Sequence, residues 1–221
     1  MRKSWWKILA VVLISLVIIA GLLAPVPVLP ILHESIRNVF FHVPMWTAML
    51  VLYFISVIYS IKYLNTGKQE YDFMAVEAVN TGITFCFMGL ATGMLWANIT
   101  WGDPWPNDPK LNGSAIATLM YLAYLVLRNA LEEEQKRAKI SAVYNIFSFP
   151  IMIVLLYILP KLTDSLHPGS GGNSTFGTLD MNNQLRPIFY TAVIGWILIG
   201  AWMLSLRYRM RLIESKQNEI N

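Results

Sequence analysis

The 221-residue chain is 56% hydrophobic and only 14% charged, against roughly 45–50% and about 25% in ordinary soluble domains. That balance excludes a soluble globular domain and predicts an integral membrane protein. The formal net charge of +4 follows from membrane topology, as shown below, and implies no nucleic-acid partner.

Runs of about 18 or more nearly uncharged residues mark membrane-spanning helices, and the sequence has six. The first, Trp5 to Leu29, follows a basic start, MRKSWWK. Its apolar stretch exceeds the ~7–15 residues of a secretory-signal core. Pro25, Pro27 and Pro30 stand where a cleavage site would need small residues, so the run reads as a retained span. The second runs from Pro44 to Tyr63 and the third from Val79 to Ile99. The single Cys86 lies in the third, has no partner for an intrachain disulfide, and reads as a small buried hydrophobe. The fourth, Gly113 to Leu127, is short, and the fifth, Ala142 to Leu159, carries Pro150, which predicts a kink. The sixth is Pro187 to Leu206. The expectation is an all-α integral membrane protein, one six-helix membrane domain over residues 1–221.

Cytoplasmic loops carry the excess of Lys and Arg. One side of the predicted bundle collects 13 of them: Arg2, Lys3, Lys7, Lys62, Lys68, Arg128, Lys136, Arg137, Lys139, Arg207, Arg209, Arg211 and Lys216. The other side holds 4: Arg37, Lys110, Lys161 and Arg186. Both termini are therefore expected in the cytoplasm. The run EEEQKRAK, Glu132 to Lys139, reads as a solvated helical turn with an i, i+4 pair such as Glu132 with Lys136. Glu77 reads as a cap at the cytoplasmic start of the third span.

The unusual residues collect in the three outer loops. The first, Ala24 to Val43, contains the helix-like piece ILHESIRNVFFHVP, in which Arg37 and Phe41 share a face. The second is the Trp-rich loop Trp96 to Asn112, WANITWGDPWPNDPKLN, and the third is the Gly/Ser-rich loop Lys161 to Arg186. His33, His42 and His167 all fall on this side. His42 stands at the start of the second span and His167 just past the fifth, so both lie near one depth. Two imidazoles so placed suit axial ligation of a haem iron, although an interfacial His is also read as an amphipathic side chain with its polar end wet. A haem site needs a broad aromatic surface, which Trp96, Trp101 and Trp105 can supply. It also needs cations for the carboxylate tails, which Arg37, Lys110 and Arg186 can supply. An interfacial aromatic belt is the competing account, but Trp5, Trp6 and Trp202 already serve the inner surface, and the Pro and Asp residues of WGDPWPNDP indicate a shaped loop. No HExxH pattern, phosphate loop or nucleophile-base pair occurs.

Over nearly its whole length the chain resembles the CcmC family, haem-handling membrane proteins of bacterial cytochrome c maturation. The resemblance rests on six spans with cytoplasmic termini, on Arg37-x-x-x-x-His42-Val43-Pro44 opening the second span, and on His167-Pro-Gly-Ser beginning the third outer loop. The family's WGxxWxWD signature with a following basic residue stands here as Trp101, Gly102, Trp105, Asp108 and Lys110. Asn107 replaces the Trp usual before the Asp, and Ala97 replaces a common Gly.

The resemblance implies haem b held between axial His42 and His167, with Trp96, Trp101, Trp105, Asp108, Lys110, Arg37 and Arg186 around it. It implies a site on the periplasmic face of the bacterial inner membrane, delivery to a membrane-anchored haem chaperone, and work alongside ABC-type transporter subunits. It implies no enzyme, since covalent attachment occurs on the chaperone. Two other classes are weighed against it. A bis-His b-type electron-transfer cytochrome sets its ligands within helices, often as two stacked pairs, and here only two well-placed His lie on one side. A small-solute transporter needs mid-membrane charges, which are scarce.

Overall fold

The computed structural model describes residues 4–28, 32–167 and 183–220. Arg2, Lys3, Pro30 and the Gly/Ser stretch after His167 lie outside the described residues. Every regular element among those described is helical: α1 (Trp5–Leu23), a 3-10 segment (His33–Phe40), α2 (His42–Thr66), α3 (Gln69–Trp101), α4 (Pro109–Asn129) and α5 (Glu134–Ile153). α5 continues through a π turn (Val154–Ile158) into α6 (Leu159–Leu162), and α7 (Arg186–Ile220) closes the chain. Six helical stretches are long and apolar enough to cross a membrane. Ile8, Val12, Leu16 and Ile19 of α1, and Leu119 and Val126 of α4, point large apolar side chains outward, a surface that a bilayer solvates and water does not. An even number of crossings returns the chain to the side where it began, which gives the bundle a terminal end and, opposite it, an end carrying the histidines.

The helices overrun the hydropathy boundaries. α3 begins at Gln69 rather than Val79 and α7 runs past Leu206 to Ile220, because charges that would end an isolated apolar run find partners inside the bundle. Arg128 binds Asp72 through both carboxylate oxygens, Nη1 to Oδ1 at 2.8 Å. Glu77 accepts from Arg207 Nε at 2.9 Å and from Asn80 Nδ2 at 3.3 Å. Glu77 therefore does not cap α3. It lies in the third turn and is buried. α5 starts at Glu134, so Glu132 precedes it and shares no helix with Lys136. Instead Gln69 Nε2 donates to Glu134 at 2.9 Å across the bundle.

α3 is the central helix, packed against α2, α4, α5, α7 and the 3-10 segment. The core around it joins Met49, Leu52, Tyr53, Val79, Phe85, Tyr121 and Met152. Tyr53 and Tyr121 stack at 3.7 Å between centroids, a pairing that contributes ~1 kcal/mol beyond burial. Cys86 is buried here as expected, with Sγ 3.0 Å from Thr118 Oγ1.

Two features deliver the histidines to one end. On the first side, α1 stops at Leu23 ahead of Pro25, and Arg37 Nη1 donates to its last carbonyls, Gly21 at 3.0 Å and Ala24 at 2.7 Å. Arg37 Nε pairs with Glu34 at 2.7 Å. That i, i+3 spacing fits the three-residue period of a 3-10 helix, so Arg37 shares a face with Glu34, not with Phe41. The segment seats Ile36, Val39 and Phe40 on Val17 and Phe189, and hands the chain to His42 at the start of α2. Pro44 follows within the first turn, where no intrahelical N–H is required.

On the second side, α5 stays helical through Pro150 and carries its irregularity as the π turn that follows. α4 approaches this turn at Gly113, where a Cβ would stand 2.5 Å from the Leu155 carbonyl oxygen. Only glycine permits that approach. The end of α6 consequently sits beside the start of α4, and residues 163–167 fold back over it.

Candidate functional site

The loop between α3 and α4 is held by its own side chains. α3 ends at Gly102, whose N–H reaches the Asn98 carbonyl at 3.0 Å. Asp103 Oδ1 accepts the Trp105 N–H at 2.8 Å, an Asx turn. Trp105 Nε1 donates to Asn112 Oδ1 at 3.2 Å, and Asn112 Nδ2 donates to Asn107 Oδ1 at 2.9 Å. Asn107, standing where the resemblance expects an indole, thus braces Trp105 through Asn112. Trp96 and Trp101 are not in this loop. Both lie on the last turns of α3, which is about 50 Å long at ~1.5 Å per residue and so overreaches a hydrocarbon core of ~30 Å.

Asp108 is the hub. Followed by Pro109, it N-caps α4 in the expected chemistry, with Oδ1 accepting from Lys110 N at 2.9 Å and Leu111 N at 3.2 Å. Oδ2 accepts from Ser165 Oγ at 2.8 Å and Leu166 N at 2.7 Å. His167 Nδ1 lies 2.9 Å from Oδ1. The residue is 1% exposed. Burial alone would raise its carboxyl pKa, but hydrogen bonds from His167, Leu166 and Ser165 outweigh burial and hold it well below the usual carboxylate range. An ionised carboxylate only accepts, so the proton in the His167 contact belongs to Nδ1, and in the neutral ring Nε2 carries the lone pair.

His42 arrives at the same arrangement by another route. Its Nδ1 is 3.1 Å from Thr92 Oγ1. Thr92 has one hydroxyl proton, directed at the carbonyls of Met88 (2.9 Å) and Gly89 (3.1 Å) on its own helix. Its oxygen therefore accepts from His42 Nδ1–H, and Nε2 again carries the lone pair. The ring rests on Gly93, where a Cβ would stand 2.7 Å from Cε1. Asn38 Nδ2 ties the 3-10 segment to the Thr92 carbonyl at 3.0 Å. Among the described residues no side chain hydrogen-bonds Nε2 of either histidine, and the Gly89 carbonyl is the backbone group that meets the His42 ring.

Indoles flank both rings edge-on: Trp46 and Trp96 beside His42, with centroids at 6.3 and 5.9 Å, and Trp101 beside His167 at 5.1 Å. Trp96 Nε1 is fixed by Ser35 Oγ at 3.2 Å. His42 lies within electrostatic reach of both His167 and Lys110. The structure thus gathers His42, His167, Trp96, Trp101, Asp108 and Lys110, with Trp105 braced alongside. Arg37 is turned to α1 and Glu34, and Arg186 begins α7 half-buried. His33 is exposed at the start of the 3-10 segment. Sequence reasoning missed Trp46, Thr92, Gly93 and Ser165. Trp46 had a signal, since it follows His42 by four residues and so shares its helix face. Thr92, Gly93 and Ser165 had none, because their roles depend on contacts between separate elements.

An all-helical bundle with six stretches long and apolar enough to cross a membrane, carrying two histidines among indoles at one end, defines a multi-pass membrane protein. The same residues match a family as a whole. The family model described as CcmC, heme exporter protein C, matches residues 2–221, and the chain belongs to that family. Similar proteins include heme exporter protein C of Paracoccus denitrificans, 24% identical over 80% of this chain and 73% of its own length. That of Bradyrhizobium diazoefficiens is 29% identical over 83% of this chain and 72% of its own. A cytochrome c biogenesis protein CcsA of Prochlorococcus marinus is 31% identical over 42% of this chain and 28% of its length.

Proposed function

We propose that the protein handles haem for cytochrome c maturation as a delivery protein, with haem b as its cargo. It holds the iron between Nε2 of His42 and Nε2 of His167 and passes the cargo to a membrane-anchored haem chaperone working with ABC-type transporter subunits. Covalent attachment belongs to the acceptor. The reading places the chain in a bacterial inner membrane with cytoplasmic termini and a periplasmic site. The 13 to 4 distribution of Lys and Arg supports that orientation.

The observation that carries the reading is the matched pair of histidines. Each ring is fixed through Nδ1 by a partner on α3 or α4, and each offers an Nε2 lone pair. A second partner on the far ring nitrogen is the usual way a protein orients a metal-ligating imidazole. The indoles of Trp46, Trp96 and Trp101 supply apolar walls for a macrocycle, and Lys110 supplies a cation for a propionate. Arg37 already commits Nε and Nη1 to Glu34 and to α1, which makes Lys110 the better-placed cation.

The test is the absorption spectrum of the purified protein with added haem. The wild type should give a six-coordinate low-spin form. His42→Ala and His167→Ala should each give a high-spin form that free imidazole returns to low spin, and His33→Ala should leave the spectrum intact. A low-spin spectrum unchanged in both Ala variants would refute the ligand assignment.

A further inference from the structure

The two imidazoles share an arrangement but not a partner. His167 Nδ1–H faces a buried carboxylate that four other hydrogen bonds lock in place, from Lys110 N, Leu111 N, Ser165 Oγ and Leu166 N. His42 Nδ1–H faces a neutral hydroxyl whose own proton is engaged by its helix. A hydrogen bond to an ionised acceptor is roughly twice as strong as one between neutral groups, and it raises the basicity of the opposite ring nitrogen. Resting on the ligation reading above, we infer that the two axial positions are unequal by construction. His167, backed by Asp108, is the retained ligand; His42, backed by Thr92, is the one that lets go, and Thr92 is a positioning residue for it.

Release then takes a defined form. The bond from iron to His42 Nε2 breaks with its electron pair remaining on the nitrogen, and a lone pair from the acceptor takes the vacated position. The iron neither gains nor loses an electron. His42 Nδ1–H stays with Thr92 throughout, so the ring does not change tautomer as it detaches and can take the iron again. The side of the site that opens is the one between Trp46 and Trp96. The side against Trp101 and the Asp108 hub stays closed.

Carbon monoxide tests this on the full-length haem-loaded protein in nanodiscs, reduced to the ferrous state. CO displaces the weaker axial ligand, and the Fe–CO stretching frequency reports the ligand that remains. The wild-type CO complex should match that of His42→Ala, in which only His167 can stand opposite CO, and should differ from that of His167→Ala. Thr92→Val removes the hydroxyl at nearly constant shape and should speed CO binding about five-fold, the effect of losing one neutral hydrogen bond. Thr92→Ser should restore the wild-type rate. A wild-type complex that matches His167→Ala, or an even mixture of the two, overturns the inference, and a Thr92→Val rate equal to wild type overturns the role of Thr92. Failure of the ligation reading shows earlier and separately: the ferric wild type would not be low-spin before any CO is added, and the inference would fall with it.

Discussion

Asp72 and Arg128, toward the terminal end, are 2% and 4% exposed and close on each other through both carboxylate oxygens. Glu77 and Arg207 pair nearby through one carboxylate oxygen, Arg207 Nε donating to Glu77 Oε2 at 2.9 Å. At the opposite end His42 and His167 each give one ring nitrogen to a partner and keep the other. The two ends use the same kinds of residue, on overlapping helices, to opposite effect. Where polar groups satisfy one another fully they fix helices in register. Where a rigid partner takes half of a group's capacity, the other half is oriented and left for something from outside.

The sharpest way to break that contrast is at the closed end. Arg128→Met should destabilise the protein by about 3–5 kcal/mol, because it leaves the Asp72 carboxylate buried without a partner. Adding Asp72→Asn should recover most of the loss, read as the thermal midpoint in detergent. His42→Ala should cost about 1–2 kcal/mol, since one neutral hydrogen bond and the edge contacts with Trp46 and Trp96 are lost but no buried charge is left unpaired. Equal costs at the two ends would erase the distinction.

Asp108 sharpens the comparison because it is a closed group that serves the open end. Asp108→Asn retains an N-cap and removes the charge, with an expected loss of ~2 kcal/mol for charge-assisted bonds. The folded carboxyl pKa lies below its unfolded value. Its contribution is therefore complete above the unfolded pKa of about 4 and fades as pH falls through the folded one. The stability gap between wild type and Asp108→Asn should persist down to about pH 5 and close in stronger acid. A gap that kept widening below about pH 4 would mean a protonated Asp108 in the fold.

The smallest effects concern the indoles. Trp101→Ala and Trp105→Ala should each weaken haem retention several-fold, stacking and edge contacts being worth on the order of 1 kcal/mol beyond burial. Trp202, which packs under Lys7 at the terminal end, should be replaceable without that loss. Equal retention in the three variants, measured by competition with an apoprotein acceptor, would reduce the outer indoles to an interfacial belt.

The spans were legible because hydropathy depends on one segment at a time. Their ends were not, because Asp72 and Glu77 stay helical only by virtue of Arg128 and Arg207, far along the chain. The same division holds at the site. His42 and His167 could be paired from their positions at the ends of two spans. The Asp108 to His167 bond could not, because it needs residues 163–167 folded over α4. Arg37 looked like a cation for a ligand, and backbone carbonyls at the end of α1, which carry no sequence signature, claimed two of its contacts.

The π turn in the fifth crossing fixes how residues are counted along it. A turn of this kind holds one residue more than an α turn, so everything after Val154–Ile158 is shifted in phase by about 100° relative to an uninterrupted helix. Deleting any one of those five residues would let the helix close into α geometry, and would turn Lys161, Ser165, Leu166 and His167 to a different bearing. Asp108 would then face solvent or lipid instead of an imidazole. The position of His167 is in this sense a matter of arithmetic in the backbone, set by one surplus residue more than a turn before it.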